Sequence, residues 1–362
     1  MASYRSLRDF DWTMFILAFT ICGMGVLEIY SATSETAWRD AWWKQIVWLG
    51  VASVLMWIIT LIDYHTLLSH VYSLYALSVV TLIATFIVGQ KVFGSRRWIG
   101  RGSVHLQVSE FVKLVLVLLV ARYLTDLKTE RLELRDLLKL GALIGLPMVL
   151  VMKQPDLGTS LTYVPILLIG VFLAGLRRQH AVAIGLVLAV ILPVGYYFLQ
   201  DYQKARLVSF IDPSQDPKGT GYQVIQSKIA VGSGALWGQG VRKGSQTQLR
   251  FLPVPHTDFI FSAFAEEHGF VSVVVVLACY FLLLMQIVQN AQTAPDRAGT
   301  YICMGVATVL LFHILVNVGM VVGRMPVTGI PLPLMSSGGS NVMSIFLMLG
   351  LVNNVRLRRF VN

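Results

Sequence analysis

Apolar runs of bilayer-spanning length recur from one end of this sequence to the other, and no other feature narrows its fold so far. They lie at Trp12–Tyr30, Trp43–Ile62, Val71–Gly89, Val108–Tyr123, Leu138–Met152 and Leu157–Ala174. Four more follow at Ala181–Leu199, Phe259–Val288, Tyr301–Val322 and Leu332–Val352. A helix needs about 20 such residues to cross the hydrocarbon core, where every backbone N–H and C=O must be paired within the protein. Of the 362 residues 56% are apolar and 13% charged, against about 25% charged in a soluble domain. The expected fold class is therefore an all-α polytopic membrane protein with about ten transmembrane helices. A folded nucleotide domain, a DNA-binding domain and a secreted disulfide scaffold are excluded. Cys22, Cys279 and Cys303 sit singly in apolar stretches and read as inert thiols. The first run follows a short polar segment without a small-residue cleavage site, which predicts an uncleaved anchor.

The formal net charge is +10, and its placement is informative. Ten spans return both termini to one side, and a cytoplasmic placement gives the inner segments an excess of Lys and Arg. The excess is small because Lys91, Arg96, Arg97 and Arg101 crowd one outward connection. Such a loop either rests on lipid phosphates or receives an anionic substrate on the outer face. Residues 201–257 form one long connection between the seventh and eighth spans, and ordered loops of this length are usually functional. Within it, Gly221–Val231 has apolar residues at helical spacing and suits an interfacial position.

An ionisable side chain inside a span costs about 2.5–3.5 kcal/mol, so each one needs a reason. Glu110 and Lys113 stand three apart on one helical face. They make either a structural ion pair or a polar cavity in which Lys113 offers a charge to a phosphate. Asp156 follows Pro155 and reads first as a helix cap, with a place in that cavity as the alternative. Glu266 and Glu267 are adjacent, hence about 100° apart on a helix, and at least one must face protein or water.

Asp258 ends the long connection in Pro255-His-Thr-Asp-Phe-Ile-Phe261. It is either an N-cap or a partly desolvated carboxylate, and desolvation raises its pKa and makes it a better base. Phe261 stands where a reciprocal capping box would need an acid or amide. His256 beside Pro255 is a secondary candidate, and Arg206 and Lys228 complete the outward cations.

These residues carry a resemblance. Gly221-Tyr-Gln-Val-Ile-Gln-Ser-Lys-Ile-Ala-Val-Gly-Ser-Gly234, the stretch from Gly238-Gln-Gly240 to Phe261, and Thr328-Gly-Ile-Pro-Leu-Pro-Leu-Met-Ser-Ser-Gly-Gly-Ser340 resemble signatures of the SEDS family (shape, elongation, division and sporulation). Arg97-Trp-Ile99, Ser109-Glu110 with Lys113, and Gln154-Pro-Asp-Leu-Gly-Thr159 match in the same order. The Leu-Pro-Val-Pro-His-Thr-Asp and Ile-Pro-Leu-Pro-Leu-Met stretches are nearer the rod-shape branch than the division branch. Ser337 departs from the family pattern, which has tyrosine there.

The resemblance implies a single membrane domain over 1–362, in the bacterial inner membrane, with both termini cytoplasmic and an active site on the outer face. It implies a peptidoglycan glycosyltransferase that polymerises lipid II into β-1,4 glycan strands during elongation. Asp258 matches the family's essential aspartate and takes the role of general base. Glu110, Lys113, Asp156, Arg206, Lys228 and Arg97 are the expected substrate-binding residues. A divalent cation (Mg or Mn) is compatible with a pyrophosphate leaving group, no ligand set for it is readable, and no organic cofactor is expected. The implied partners are lipid II, the nascent strand, a class B penicillin-binding protein transpeptidase and other elongation-complex membrane proteins, with no nucleic acid. The alternative from another class is a transporter that flips lipid II.

Overall fold

The computed structural model describes residues 9–92, 95–101, 104–127, 132–176, 199–216 and 219–359, with scattered positions between 177 and 198. The first half holds α1 (Trp12–Thr33), α2 (Ala41–Leu61), a short α3 (Tyr64–Ser69), α4 (Val71–Val88), α5 (Val108–Thr125) and α6 (Leu134–Lys153). It continues through α7 (Leu157–Leu161) and α8 (Tyr163–Leu173). The second half holds α9 (Asp201–Ile211), α10 (Thr220–Ser233), α11 (Ser245–Gln248), α12 (Ile260–Gln292), α13 (Arg297–Val321) and α14 (Gly339–Arg358). Six of these, α1, α2, α4, α12, α13 and α14, are long and apolar enough to cross a membrane. The protein is a polytopic helical membrane protein. The fourth and fifth expected runs appear as α5 and α6, and the sixth as α7–α8, interrupted at Thr162. The seventh, Ala181–Leu199, lies largely outside the described residues.

Helix starts follow the short acids in the sequence. Asp11 accepts from Met14 N–H at α1, Asp156 from Thr159 N–H at α7, and Asp296 from Gly299 N–H at α13. Each takes up a donor that the first turn leaves free.

Two expectations are corrected. The basic stretch between α4 and α5 is not a plain loop, because Gln90–Val92, Ser95–Arg101 and Val104–Gln107 form β1, β2 and β3 of an antiparallel sheet in that order. Trp98 pairs with Gln107 in the second ladder, which leads directly into α5. The last span begins at Gly339 rather than Leu332. Pro331 and Pro333 remove two backbone donors, which disfavours a helix there. Ser336 Oγ takes the Leu332 N–H at 2.8 Å instead.

Enclosure does not follow apolarity in this bundle. α14 carries buried Ser340, Asn341, Ser344, Asn353 and Asn354, and it is the most enclosed of the six candidate spans. α12, far more apolar, leaves Phe270, Phe281 and Leu282 exposed. Lipid solvates apolar side chains as well as a protein core does, so polar groups mark the inward faces. At the bundle end away from Asp258, buried Asp11 pairs with Arg356 at 2.9 Å and accepts from Asn290 at 2.6 Å. This ties α1, α12 and α14 together.

α12 is broken at Gly269, with φ 75° and ψ −179°, a combination essentially restricted to glycine. The backbone groups freed at the break pair with the long connection. Gln239 and Gly240 N–H donate to Glu266 and Glu267 C=O, and Phe270 N–H donates to Ala235 C=O. Irregular backbone is tolerated here because the connection satisfies it.

Candidate active site

Asp258 lies two residues before α12. The residue that starts the helix is Phe259, and no side chain caps it, so the carboxylate is not spent on the helix terminus. The backbone just before Asp258 is stitched to the segment before α14. Ser336 Oγ donates to Thr257 C=O at 2.7 Å, and Ser337 N–H donates to His256 C=O at 2.9 Å. Asn317 Nδ2 donates to Asp258 C=O at 2.9 Å and to Ile330 C=O at 2.8 Å. From α2, Gln45 grips the same segment by Ser336 C=O and Gly338 N–H. The position 337 that departs from the family pattern thus contributes through its backbone.

The carboxyl group is half-buried. Burial pushes its pKa above the ordinary aspartate range, while Arg97 and Arg206 act against that rise and Asp156 adds to it. Arg206 on α9 donates from Nη1 to Thr328 C=O at 3.2 Å, and burial lowers its pKa. Arg97 on β2 pairs with Asp156 at 3.3 Å. Gln107 at the end of β3 donates to the same Asp156 oxygen at 2.7 Å. Asp156 therefore caps α7, as read from sequence, and also fixes Arg97. Burial lowers the pKa of His256, and its ring lies 5.7 Å from that of Trp38.

Gly329 forms the floor of this arrangement. Its φ is +73°, and a Cβ there would stand 3.4 Å from Asp258 Oδ2. Its two flanking carbonyls are the ones held by Arg206 and Asn317. Gly329→Ala is expected to lose about 1–2 kcal/mol of stability, since a Cβ disfavours the left-handed region. A drop in the thermal unfolding midpoint measures it, and an unchanged midpoint would mean that the turn relaxes without strain.

Glu110 and Lys113 form the expected ion pair at 2.8 Å, with both side chains fully enclosed. Asn341 Nδ2 also donates to Glu110, at 2.9 Å, and Lys113 Nζ lies 3.2 Å from His313 Nε2. The group ties α5 to α13 and α14, and the segment it braces includes the Pro331 carbonyl, 3.2 Å from His313 Nδ1. Lys228 is exposed on α10, and its side chain lies over Gly323 at the end of α13. Its interactions do not join it to the Arg97–Asp156–Arg206–Asp258 group.

Glu266 and Glu267 face different surroundings, as their adjacency requires. Glu266 accepts from Gln246 N–H, Thr247 N–H and Thr247 Oγ1, which anchors α11. Glu267 accepts from Ser31 at 2.5 Å and Gln248 at 3.0 Å. Among the described residues, no three His, Cys, Asp or Glu side chains are gathered as metal ligands. Of the two acids at the site, Asp156 already pairs with a guanidinium group, that of Arg97.

The sequence reading passed over Gln107, His313, Asn317, Ser336 and Asn341. A signal existed for most of them. His313 and Asn317 stand four apart in the apolar run Tyr301–Val322, and the rule that singled out Glu110 applies to them equally. Ser336 and Asn341 lie inside the last expected run, Leu332–Val352, where their polarity was a signal too, whereas Gln107 sits in a polar stretch where nothing distinguishes it locally.

Asp258, with Arg97, Arg206 and Asp156 acting on its charge, lies before one of the long apolar helices of a polytopic membrane protein and is its candidate site. A family model described as cell cycle protein, for FtsW, RodA and SpoVE, matches residues 11–359. The chain is 33% identical to peptidoglycan glycosyltransferase RodA of Treponema pallidum, over 98% of this chain and 99% of that one. It is 36% identical to peptidoglycan glycosyltransferase MrdB of Escherichia coli, over 96% and 94%. A chain solved in a peptidoglycan synthase complex superposes with TM-score 0.84 at 30% identity, covering 98% of this chain and 99% of that one. The rod shape determining protein RodA of Thermus thermophilus superposes with TM-score 0.72 at 28% identity, covering 97% and 98%. The chain belongs to the FtsW/RodA/SpoVE family, the one its motifs resemble.

Proposed function

We propose that this protein is a peptidoglycan glycosyltransferase that polymerises lipid II into β-1,4 glycan strands during cell elongation. It works at the outer face of the bacterial cytoplasmic membrane, with both termini in the cytoplasm. The names of its relatives support the reaction class. The observation that carries the reading is Asp258, a half-buried carboxylate with a raised pKa and no capping duty.

The acceptor sugar's 4-hydroxyl attacks the anomeric carbon of the donor. The new C–O bond forms as the bond to polyprenyl pyrophosphate breaks, and inversion turns the α-linked donor into a β-1,4 product. Asp258 takes the hydroxyl proton. The leaving group departs with its electron pair as an anion, so it needs positive charge rather than a second acid. Arg97, oriented by Asp156, and Arg206 supply that charge. Lys228 adds to the field that draws the substrate in. Glu110 and Lys113 shape the wall beneath, and Lys113 reaches a phosphate only when their ion pair opens. No step is routed through a metal ion. The partner is a class B penicillin-binding protein that crosslinks the product, alongside other elongation-complex membrane proteins.

The test is strand formation from lipid II by purified protein in detergent, with its transpeptidase partner. Polymer is expected. Transbilayer movement of lipid II in vesicles without any polymer would replace this reading with the flippase. The pH profile is a second test. A base must be deprotonated to act, so kcat/KM rises with pH through the Asp258 titration. Its acid limb is expected above the ordinary aspartate pKa of about 3.9, and a limb at that ordinary value would exclude Asp258 as a desolvated base.

A further inference from the structure

Asn317 is a buried amide near the C-terminal end of the apolar helix α13, and far from Asp258 in sequence. Both hydrogens of its Nδ2 are spent on carbonyls, those of Asp258 and Ile330. Two acceptors below 3 Å fix which way the amide faces, because its oxygen would repel both. That oxygen, Oδ1, is buried and has no hydrogen-bond partner among the described residues. A leucine would fill the same space without stranding a polar atom, so packing alone does not account for an amide here. The two donated bonds do.

We propose that Asn317 is a positioning residue for the glycosyl transfer, holding the Asp258 carboxylate over its Gly329 floor and in register with its two arginines. The inference rests on the proposed function. Asn317 touches no reacting atom and acts through the backbone. One of its bonds fixes the peptide plane that follows the Asp258 Cα, and the other fixes Ile330. Arg206 holds Thr328, on the other side of Gly329. The base and its floor are thus clamped from α13, and one of the guanidinium groups grips the same turn. The charged groups acting on Asp258 are Arg97, Arg206 and Asp156, so any tilt of the loop changes its distance to all three. The carbonyl bond sits at the root of the catalytic side chain, so a small rotation there is magnified at the carboxylate. Misplacing a reacting group by about 1 Å can cost about 10²-fold in rate.

The experiment compares wild type, Asp258→Asn, Asn317→Leu and Asn317→Ala, each purified with the transpeptidase partner, with the alanine variant covering a leucine that fails to pack. Strand synthesis from lipid II is measured against substrate concentration and pH. Hydrogen exchange is followed in the peptides covering 256–260 and 328–332. We expect Asn317→Leu to lower kcat about 10²-fold while KM stays within about twofold, to shift the acid limb of the pH profile, and to speed exchange in both peptides. A folded variant with wild-type kcat, or a loss matching the loss of folded protein with the acid limb unmoved, overturns the proposal. Wild type without polymer would instead defeat the proposed function. Exchange then decides the clamp by itself, faster in both peptides supporting it and unchanged exchange refuting it.

Discussion

Asp258→Asn is expected to abolish strand synthesis while lipid II binding persists. The substitution is nearly isosteric, and the bonds that hold this stretch run to the backbone carbonyls of Thr257 and Asp258, so the loop keeps its shape. What disappears is a group able to accept the acceptor's hydroxyl proton. A positioned base contributes about 10²–10⁴-fold to such a transfer, and the loss should fall on kcat. The neutral amide also removes one negative charge beside Arg97 and Arg206, so binding of the anionic donor is expected to be unchanged or tighter. Parallel strand-forming and lipid II binding measurements separate these effects. Equal polymer from both proteins would return Asp258 to a structural role, and polymer and binding lost together would make it a substrate ligand.

Glu110→Leu is the second large effect, and it concerns stability. The Lys113 ammonium is fully enclosed and its hydrogen bonds go to Glu110 and His313. Removing the carboxylate leaves a buried cation without a counter-charge. Breaking such a pair from one side costs about 3–5 kcal/mol, whereas replacing both members by apolar groups is often neutral. Thermal unfolding in detergent is therefore expected to fall sharply for Glu110→Leu and to recover in Glu110→Leu/Lys113→Met. Asn341 loses its acceptor in both variants, so recovery should be incomplete. If the double variant unfolds as early as the single one, the pair is not what makes this site fragile. A double variant that recovers stability without strand synthesis would give Lys113 a part in the reaction.

Much of the site was legible because a membrane protein has little freedom to place charge idly. Glu110, Lys113, Asp156 and Asp258 stand out against apolar neighbours, and three readings taken from local spacing hold in the structure. The Glu110–Lys113 pair forms, Asp156 caps α7, and Glu266 and Glu267 diverge. The Asp258 alternative needed the fold. Its cap reading fails because the helix boundary falls one residue later, at Phe259, while Ser336, Ser337 and Asn317 hold the carbonyls of Thr257, His256 and Asp258.

The sequence by itself determined the class of molecule, the approximate course of its helices and the identity of its unusual acids, since these depend on local apolarity and spacing. Tertiary structure decided which helices lie inside. Lipid and protein are equally apolar surroundings, so hydropathy does not rank α14 above α12 in enclosure. It also decided that the basic stretch between α4 and α5 becomes a small sheet delivering Arg97 to Asp156. Most of all, it decided the clamp on Asp258. Asn317 and Ser336 meet the loop across 59 and 79 positions of sequence, and a hydrogen bond to a backbone carbonyl leaves no mark on the residue that accepts it.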